Sequence, residues 1–327
     1  MRVLFIGGTG IISSACAARC IELGHDLYLL NRGQSVRQIP EQANVLRADY
    51  RDTEQARDVL DGMNFDVVVD FIAFNVEHTR TDVELFRGRT GQYVFISSAS
   101  AYQTPPESVP VTEETPLGNP FWQYSRDKAA GEKYLMGEYE KNGFPVTIVR
   151  PSHTYDRRSV PVPGAHLLFR RAQAGKKIVV HGDGTSLWTL THNTDFAIGF
   201  CGLFGQNEAI GEDFHITSDE YLPWNKINRL LLENAGLGAE LIHLPSDLIV
   251  KYDAEFGAGL LGDKAHSMIF DNSKIKKMVP EFEAKVPFTD GAKEIADWYL
   301  SNQDDVSVDE DLDKTMDRMV ADYESIG

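Results

Sequence analysis

The stretch MRVLFIGGTGIIS, residues 1–13, decides the fold of this chain. Residues 2–6 form a short apolar run, glycines follow at positions 7, 8 and 10, and small residues continue to position 23. Glycine permits turns with positive φ and lets backbone N–H groups approach a phosphate at a helix N-terminus. A second apolar run at residues 26–30 completes a strand–turn–helix–strand order, which favours a dinucleotide-binding turn over a purely structural one.

Apolar runs alternate with helical patterns through the first half of the chain. Further strands are predicted at residues 44–48, 66–72, 92–97 and 145–150, with helices at residues 53–62, 78–87 and 122–142. Strands separated by helices form βαβ units, in which the strands are parallel and helices cover both faces of the sheet. The sequence therefore predicts an α/β fold of the Rossmann type, with a doubly wound parallel sheet.

The pattern changes beyond residue 151, where Pro161, Pro163 and Gly164 mark a loop before shorter helices and strands. We expect this part to form a smaller C-terminal α/β lobe over the carboxyl edge of the sheet, where open α/β folds bind ligands. The predicted division gives residues 1–160 to the dinucleotide-binding domain, with residues 190–205 returning to it. Residues 161–327 then form mainly the substrate lobe and C-terminal helices.

The composition is that of a globular protein with a strong negative charge. Of 327 residues, 42% are hydrophobic and 25% charged, and the formal net charge is −17. This charge disfavours nucleic acid and anionic membranes as partners. No apolar run approaches the ~20 residues of a membrane span, no signal peptide is predicted, and three cysteines are too few for a disulfide framework. We expect a cytoplasmic protein in which the acidic residues 304–322 form a surface helix.

A tyrosine and a lysine stand four residues apart at the start of a long predicted helix. The spacing of Tyr124 and Lys128 in YSRDK places both on one helix face. A phenol of pKa ~10 needs a neighbouring cation to exchange protons near neutrality, and Lys128 is positioned to supply one. Ser98 follows the predicted strand at residues 92–97, whose end lies on the same sheet edge as the glycine turn. Ser97 and Ser100 are expected to cap backbone groups instead.

These residues together resemble the extended short-chain dehydrogenase/reductase family, in its NAD(P)-dependent epimerase/dehydratase branch. The resemblance implies that Ser98, Tyr124 and Lys128 are catalytic, with Ser98 orienting the reacting oxygen while Tyr124 exchanges its proton. Ser13 stands where the family has its third glycine and is expected to loosen the packing of the first helix. The resemblance implies a cofactor site at Gly7, Gly10, Ile11, Ile12, Asn31, Arg32, Asp49, Tyr50, Phe71 and Pro151.

The end of the second strand bears on the choice between NAD and NADP. NAD-preferring relatives usually carry an acidic residue there, whereas this chain has Asn31 and Arg32. An arginine can pair with the 2′-phosphate that a carboxylate would repel. The sequence favours NADP slightly, with Arg32 as a solvated surface residue the alternative.

The substrate side departs from the family. His153 replaces an asparagine, and Trp188 an arginine, that usually hold a nucleotide-sugar diphosphate. Arg157, Arg158, Arg170 or Arg171 are the candidate replacements for that arginine. The predicted substrate residues are Ser98, Tyr102, His153 and Trp188. Ala99 and Ser100 replace the carboxylates of family dehydratases, which disfavours dehydration.

We therefore expect an NAD(P)-dependent epimerase or oxidoreductase acting on a sugar-like substrate, with a nucleotide sugar as one candidate, and without a metal. The alternatives are an NADPH-dependent carbonyl reductase and an RNA-binding protein resembling the chloroplast stem-loop RNA-binding proteins. Family relatives often dimerise through the helices that correspond to residues 78–87 and 122–142, so a homodimer is also expected.

Overall fold

A computed structural model describes residues 1–35 and 37–325 of the chain. The strands are β1 (Arg2–Ile6), β2 (Asp26–Asn31), β3 (Asn44–Arg47), β4 (Phe65–Asp70), β5 (Thr90–Ile96), β6 (Val146–Pro151), β7 (His153–Tyr155), β8 (Ile178–His181), β9 (Leu187–Trp188), β10 (Leu190–His192), β11 (Asp213–Ile216), β12 (Leu222–Pro223) and β13 (Leu241–Leu244). The helices are α1 (Ile11–Glu22), α2 (Thr53–Val59), α3 (Val76–Phe86), α4 (Gln123–Asn142), α5 (Leu167–Gln173), α6 (Asn193–Gly202), α7 (Trp224–Asn234), α8 (Ser246–Ile249), α9 (Ala254–Gly259), α10 (Ser273–Met278), α11 (Phe288–Asn302) and α12 (Glu310–Glu324).

The central sheet has seven strands in the order β11-β6-β5-β4-β1-β2-β3, and every neighbouring pair is parallel. The chain winds outward from β1 through β2 to β3, then returns to β4 on the other side of β1. This reversal opens a crevice at the carboxyl ends of β1 and β4, where doubly wound folds bind their ligands. The predicted fold class is confirmed, and strand and helix ends in the first half differ from the predicted ones by up to three residues.

The strands are apolar on both faces because helices cover both sides of the sheet. In β1, Val3 and Phe5 belong to a buried cluster with α1 and α6, whereas Leu4 and Ile6 belong to one with α2, α3 and α4. The helix α6 packs against α1, so the chain crosses back to the large sheet after entering the smaller lobe. Among the described residues, no helix is long and apolar enough to cross a membrane.

The edge strand β11 differs from the predicted organisation. Residues 213–216 fall in the predicted smaller lobe, yet Phe214 pairs in register with Val149 of β6 and extends the large sheet. The helix α10 follows it there, because Ile275 and Val279 are buried in the same cluster as Phe214. A four-residue strand has too short a pattern to show which sheet it joins.

The smaller lobe has its own core around Trp224, Phe169 and Tyr299, beside the parallel pair β8–β13. The predicted acidic helix corresponds to α12, which buries Met316 and Met319 against this lobe. Its carboxylates are also paired, because Lys176 Nζ lies 2.6 Å from Asp313 Oδ2 and 2.7 Å from Asp317 Oδ2. Part of the chain's negative charge therefore holds α12 in place.

A buried ion pair connects α4 to the carboxyl edge of the sheet. The side chains of Arg150 and Glu132 are only 4% and 3% exposed, and Arg150 Nη2 lies 2.6 Å from Glu132 Oε2. Arg150 Nη2 also lies 2.6 Å from Asp213 Oδ2 on β11. Removing one partner of a buried pair leaves the other charge without compensation.

We expect Glu132→Gln to lower the free energy of unfolding by about 3–5 kcal/mol, because it leaves the Arg150 charge buried with a weaker partner. Equilibrium unfolding in urea, followed by tryptophan fluorescence, measures the loss. The matched control is Glu138→Gln, which breaks the more exposed pair with Arg87 on the same helix and should cost about 1 kcal/mol or less. Equal losses in the two variants would contradict the structural role of the buried pair.

Candidate active site

A groove of about 890 Å³ runs along the carboxyl ends of β1, β2 and β4. It is lined by nine of the ten predicted cofactor residues: Gly7, Gly10, Ile11, Ile12, Asn31, Arg32, Asp49, Tyr50 and Phe71. The tenth, Pro151, lines an adjoining cavity. The structure thus brings together residues that lie far apart in the sequence.

The glycine turn between β1 and α1 is closed by a serine. Gly7 has φ of +83°, and a Cβ there would lie 2.6 Å from Ile72 Cγ2, so only glycine fits without a shift. The buried Ser13 hydroxyl accepts from the Gly10 amide at 2.7 Å and donates to the Gly7 carbonyl at 2.9 Å. The expectation that Ser13 loosens this region is wrong, because its hydroxyl replaces glycine's close packing with two hydrogen bonds.

The groove fits a dinucleotide. The first-turn amides of α1 lack intrahelical partners, and those of Ile11 and Ile12 lie at the groove for a pyrophosphate to use. Asn31 Nδ2 is buried without a partner, an open donor beside the groove. The Arg32 side chain is 62% exposed and lies 3.9 Å from Asp49. This loose pairing leaves Arg32 available to bind a phosphate. These residues would hold the pyrophosphate and the adenosine ribose.

Tyr50 lines the groove, but its hydroxyl is turned into the core. It donates to Asp82 Oδ1 at 2.5 Å, and burial raises its pKa well above the usual value. The neighbouring Asp49 is exposed and accepts from the Arg51 amide at 3.0 Å. An adenine at this position would therefore contact Asp49 and the Tyr50 residue, but the Tyr50 hydroxyl would not be available to it.

A second cavity, of about 370 Å³, adjoins the groove and shares five lining residues with it. The shared residues are Ile11, Ile12, Phe71, Phe74 and Ile96. The predicted catalytic and substrate residues that line this cavity are Ser98, Tyr124, Lys128, His153 and Trp188. The end of the cofactor groove and the predicted reactive side chains therefore meet in one space.

Tyr102 does not belong to this cavity, which corrects its prediction as a substrate residue. Its side chain is fully buried, and its hydroxyl accepts from Arg150 Nη1 at 3.0 Å. The same hydroxyl lies 3.0 Å from His215 Nδ1. With both contacts inside the core, Tyr102 supports the Arg150 network instead of a substrate.

Lys128 is held by backbone carbonyls at the ends of two strands. Its Nζ donates to Ala73 O at 2.6 Å and to Ile96 O at 2.7 Å. Burial lowers its pKa to about 8, although the Asp70 and Glu132 carboxylates oppose the shift. The ammonium lies 5.7 Å from the centre of the Tyr124 ring.

Tyr124 retains its proton in this structure. Burial raises its pKa to about 12, and the neighbouring Ser98 hydroxyl only partly opposes the rise. The lowering expected from the Lys128 ammonium, 5.7 Å from the ring centre, does not outweigh the effect of burial on the Tyr124 pKa. Tyr124 is therefore a hydrogen-bond donor and proton source near neutral pH.

Three serine hydroxyls form a chain behind the cavity. Ser125 Oγ donates to Ser100 Oγ at 2.7 Å, and Ser100 Oγ lies 2.9 Å from Ser98 Oγ. Ser98 Oγ also accepts from the Ser100 amide at 3.2 Å. Since Ser100 already accepts from Ser125, it can donate to Ser98, which leaves the Ser98 proton free for the cavity. Ser98 therefore caps the backbone amide of Ser100. Ser97, which was expected to cap a backbone group, donates to Glu132 instead.

His153 and Trp188 pair with each other on the cavity wall. Trp188 Nε1 donates to His153 Nδ1 at 3.4 Å, which places the proton of the neutral imidazole on Nε2. Burial and the Lys264 charge lower the His153 pKa to about 3, so it stays neutral. Trp188 is only 3% exposed and packs on Trp224 with ring centres 5.5 Å apart.

Sequence reasoning missed Asp263 and Lys264, which line the cavity from a π-helical turn at Leu260–Lys264. Asn119 anchors this turn, donating to Gly262 O at 2.5 Å and to Ser100 O at 2.8 Å. Its Oδ1 also accepts from the Trp122 amide just before α4. The only sequence signal was a short Gly-rich stretch, 257–262, and π-helical turns often occur at functional sites.

No group of three or more potential metal ligands is found among residues 1–35 and 37–325. The model of the NAD dependent epimerase/dehydratase family matches residues 3–217, which include the whole groove and Ser98, Tyr124 and Lys128. The chain belongs to this family. The enzyme family comprises NAD-dependent epimerases, dehydratases and reductases.

Relatives within this family have diverse names. The 2'-dehydrokanamycin reductase of Streptomyces kanamyceticus is 23% identical over 87% of this chain and 81% of its own length. The chloroplast stem-loop binding protein of 41 kDa b of Arabidopsis thaliana is 24% identical over 74% of this chain, which spans 65% of that protein. The crystal structure of dTDP-glucose 4,6-dehydratase from Bacillus anthracis in complex with NAD has a TM-score of 0.74 at 20% identity, and the match covers 93% of this chain and 98% of that one.

The serine chain leads to a prediction for Ser100. We expect Ser100→Ala to lower kcat about three- to tenfold with little change in KM, because one hydrogen bond that orients the Ser98 proton is lost. The measurement is the initial rate of NAD(P)H oxidation with the fastest carbonyl compound of a screening panel. The control is Ser301→Ala, an exposed serine that bonds only within α11. A rise in KM at unchanged kcat would contradict the orienting role.

Proposed function

We propose that the protein is an NAD(P)-dependent oxidoreductase or epimerase that transfers hydride at a carbon of a sugar-like substrate. The observation that supports this most directly is that the groove and the cavity share a wall at Ile11, Ile12 and Phe71. A dinucleotide held along the groove would extend toward the cavity lined by Ser98 and Tyr124. A bound dinucleotide would supply or accept the hydride.

The protein's own groups are arranged for carbonyl reduction. Tyr124 carries its proton at neutral pH, and Ser98 has a proton free for the cavity, so two donors are available to one carbonyl oxygen. As negative charge develops on that oxygen, both hydrogen bonds strengthen and Tyr124 transfers its proton. The same step ends an epimerisation once a keto intermediate has turned in the cavity. The protonated state of Tyr124 favours the reductive direction.

Lys128 acts as a fixed cation in this proposal. The two carbonyls that hold Nζ leave one of its three N–H donors for a ribose hydroxyl or the Tyr124 oxygen. In the oxidative direction, its charge would favour the phenolate.

Dehydration is not favoured by the site. Ala99 and Ser100 follow Ser98 and carry no carboxylate, and Ser100 is engaged in the serine chain. Asp263 lines the cavity, but its Oδ2 accepts from Lys264 Nζ at 2.8 Å. Although dehydratases occur among the relatives, we infer oxidoreduction or epimerisation for this chain.

RNA binding is the second candidate, supported by the chloroplast stem-loop binding relative. RNA binding needs basic side chains that neutralise phosphates, and this chain has a net charge of −17. We therefore rank it below the enzymatic function.

Replacing Tyr124 tests the proposed chemistry. We expect Tyr124→Phe to lower kcat about 100-fold or more, because the ring remains while the transferable proton is lost. The rate of NADPH oxidation with a panel of aldehydes and cyclic ketones measures the effect. The matched control is Tyr134→Phe on the same helix, where Tyr134 faces Arg80 outside the cavity. Retained activity in Tyr124→Phe would reject the mechanism.

We propose a preference for NADP over NAD, supported by Asn31 and Arg32 at the end of β2. Arg32→Ala should raise KM for NADPH about tenfold and leave KM for NADH nearly unchanged, because only NADPH carries the 2′-phosphate. Steady-state kinetics with both cofactors measure the two values. The NADH series is the internal control. A parallel rise in both KM values would show that Arg32 does not recognise the 2′-phosphate.

A further inference from the structure

One of the two lysines that line the substrate cavity is paired with the cavity's aspartate. Within the described part of the chain, the charged residues that line it are Lys128, Asp263 and Lys264. Lys264 Nζ lies 2.8 Å from Asp263 Oδ2, with both side chains less than one-fifth exposed. Lys128 is committed to two carbonyls, and His153 is neutral. Among the lining residues, Lys264 is thus compensated by Asp263, whereas Lys128 keeps its positive charge beside the Tyr124 ring.

The arginines that could replace a diphosphate clamp lie elsewhere. None of Arg157, Arg158, Arg170 and Arg171 lines the cavity. Arg171 is buried and bonds Asp317 Oδ1 of α12 at 2.9 Å, as well as Asp313. Arg158 lies over the Trp298 ring, 5.7 Å from its centre. A diphosphate in the cavity would have to lose water without gaining an arginine partner.

The cavity is also small. Its 370 Å³ includes the space beside Ile11, Ile12 and Pro151 at the end of the cofactor groove. A separate void in the smaller lobe, lined by Met316, measures only about 10 Å³ and shares no lining residue with the cavity. Core side chains of α5, β8 and α12 pack around that void. The volume of the substrate cavity suits one or two small rings better than a sugar joined to a nucleotide.

The rest of the wall suits a carbohydrate. Trp122 and Trp188 offer apolar ring surfaces, while His153, Asp263 and Lys264 offer hydrogen-bond donors and acceptors. The Asp263–Lys264 pair has no net charge, so its carboxylate and ammonium can both form hydrogen bonds with the hydroxyl groups of an uncharged ligand.

We propose that this cavity binds an uncharged, polyhydroxylated sugar-like substrate that carries no phosphate, with Asp263 cancelling Lys264 to reject diphosphates. The proposal rests on the proposed oxidoreductase or epimerase function and names the substrate class of the same site. It separates this chain's chemistry from that of enzymes acting on nucleotide sugars.

The first test is direct binding of UDP and UDP-glucose to the full chain saturated with NADP⁺, by isothermal titration calorimetry at low salt. We expect no binding up to about 1 mM, a level that corresponds to only about 4 kcal/mol of affinity. A dissociation constant in the micromolar range for either ligand would overturn the proposal.

Two variants that each neutralise one charge test whether Asp263 compensates Lys264. Asp263→Asn frees the Lys264 ammonium and should increase affinity for UDP about tenfold or more, with the gain lost at high salt. Lys264→Met is the matched control, because it removes the cation and should give no gain. Unchanged UDP affinity in Asp263→Asn would reject the role assigned to Asp263.

Turnover assays distinguish a wrong substrate class from a wrong proposed function. We expect cofactor oxidation with unphosphorylated keto-sugars and none with UDP-linked sugars, all of it lost in Tyr124→Phe. Turnover of a UDP-linked sugar that Tyr124→Phe abolishes would overturn the substrate class and leave the catalytic site supported. Turnover that survives Tyr124→Phe would overturn the proposed function instead.

Discussion

The ion pair between Glu132 and Arg150 is the contact on which the active site depends. Glu132 lies one helical turn after Lys128 on α4, and Arg150 lies near the end of β6, so their bond sets the height of α4 over the sheet edge. Ser97 and Tyr102 bond the same pair, which places the loop after β5 as well. This buried ion pair thus helps to place Ser98, Tyr124 and Lys128, together with the carbonyls that hold Lys128 and the Asn119 contact before α4.

The large sheet and the cofactor groove were predictable because their signals are local. An apolar run, a glycine turn and a helix of small residues occur within residues 1–23, and each dictates its own backbone geometry. The alternation of strands and helices then leaves few possible topologies, because parallel strands need crossover helices. Family resemblance added which residues are reactive, and the structure places Ser98, Tyr124 and Lys128 in the cavity that adjoins the groove.

The substrate side could not be predicted, because it depends on contacts between distant segments. Asp263 and Lys264 reach the cavity only through a π-helical turn that Asn119 fixes from across the sheet edge. Tyr102 looked like a substrate residue until its hydroxyl proved to be shared by Arg150 and His215. The pKa of Tyr124 likewise depends on how deeply its side chain is buried, which residue spacing does not specify.

The serine that closes the glycine turn has a further consequence for cofactor affinity. Because Ser13 bonds the Gly7 carbonyl and the Gly10 amide, the loop is held in shape by the protein alone. A ligand that meets a loop already ordered does not have to restrict it on binding, so less conformational entropy is lost. The Gly10 amide bonds Ser13 and is not available to the phosphates. The turn nevertheless has its shape before a dinucleotide binds, so Ser13 removes one hydrogen-bond donor from the site and preorganises the rest of the turn.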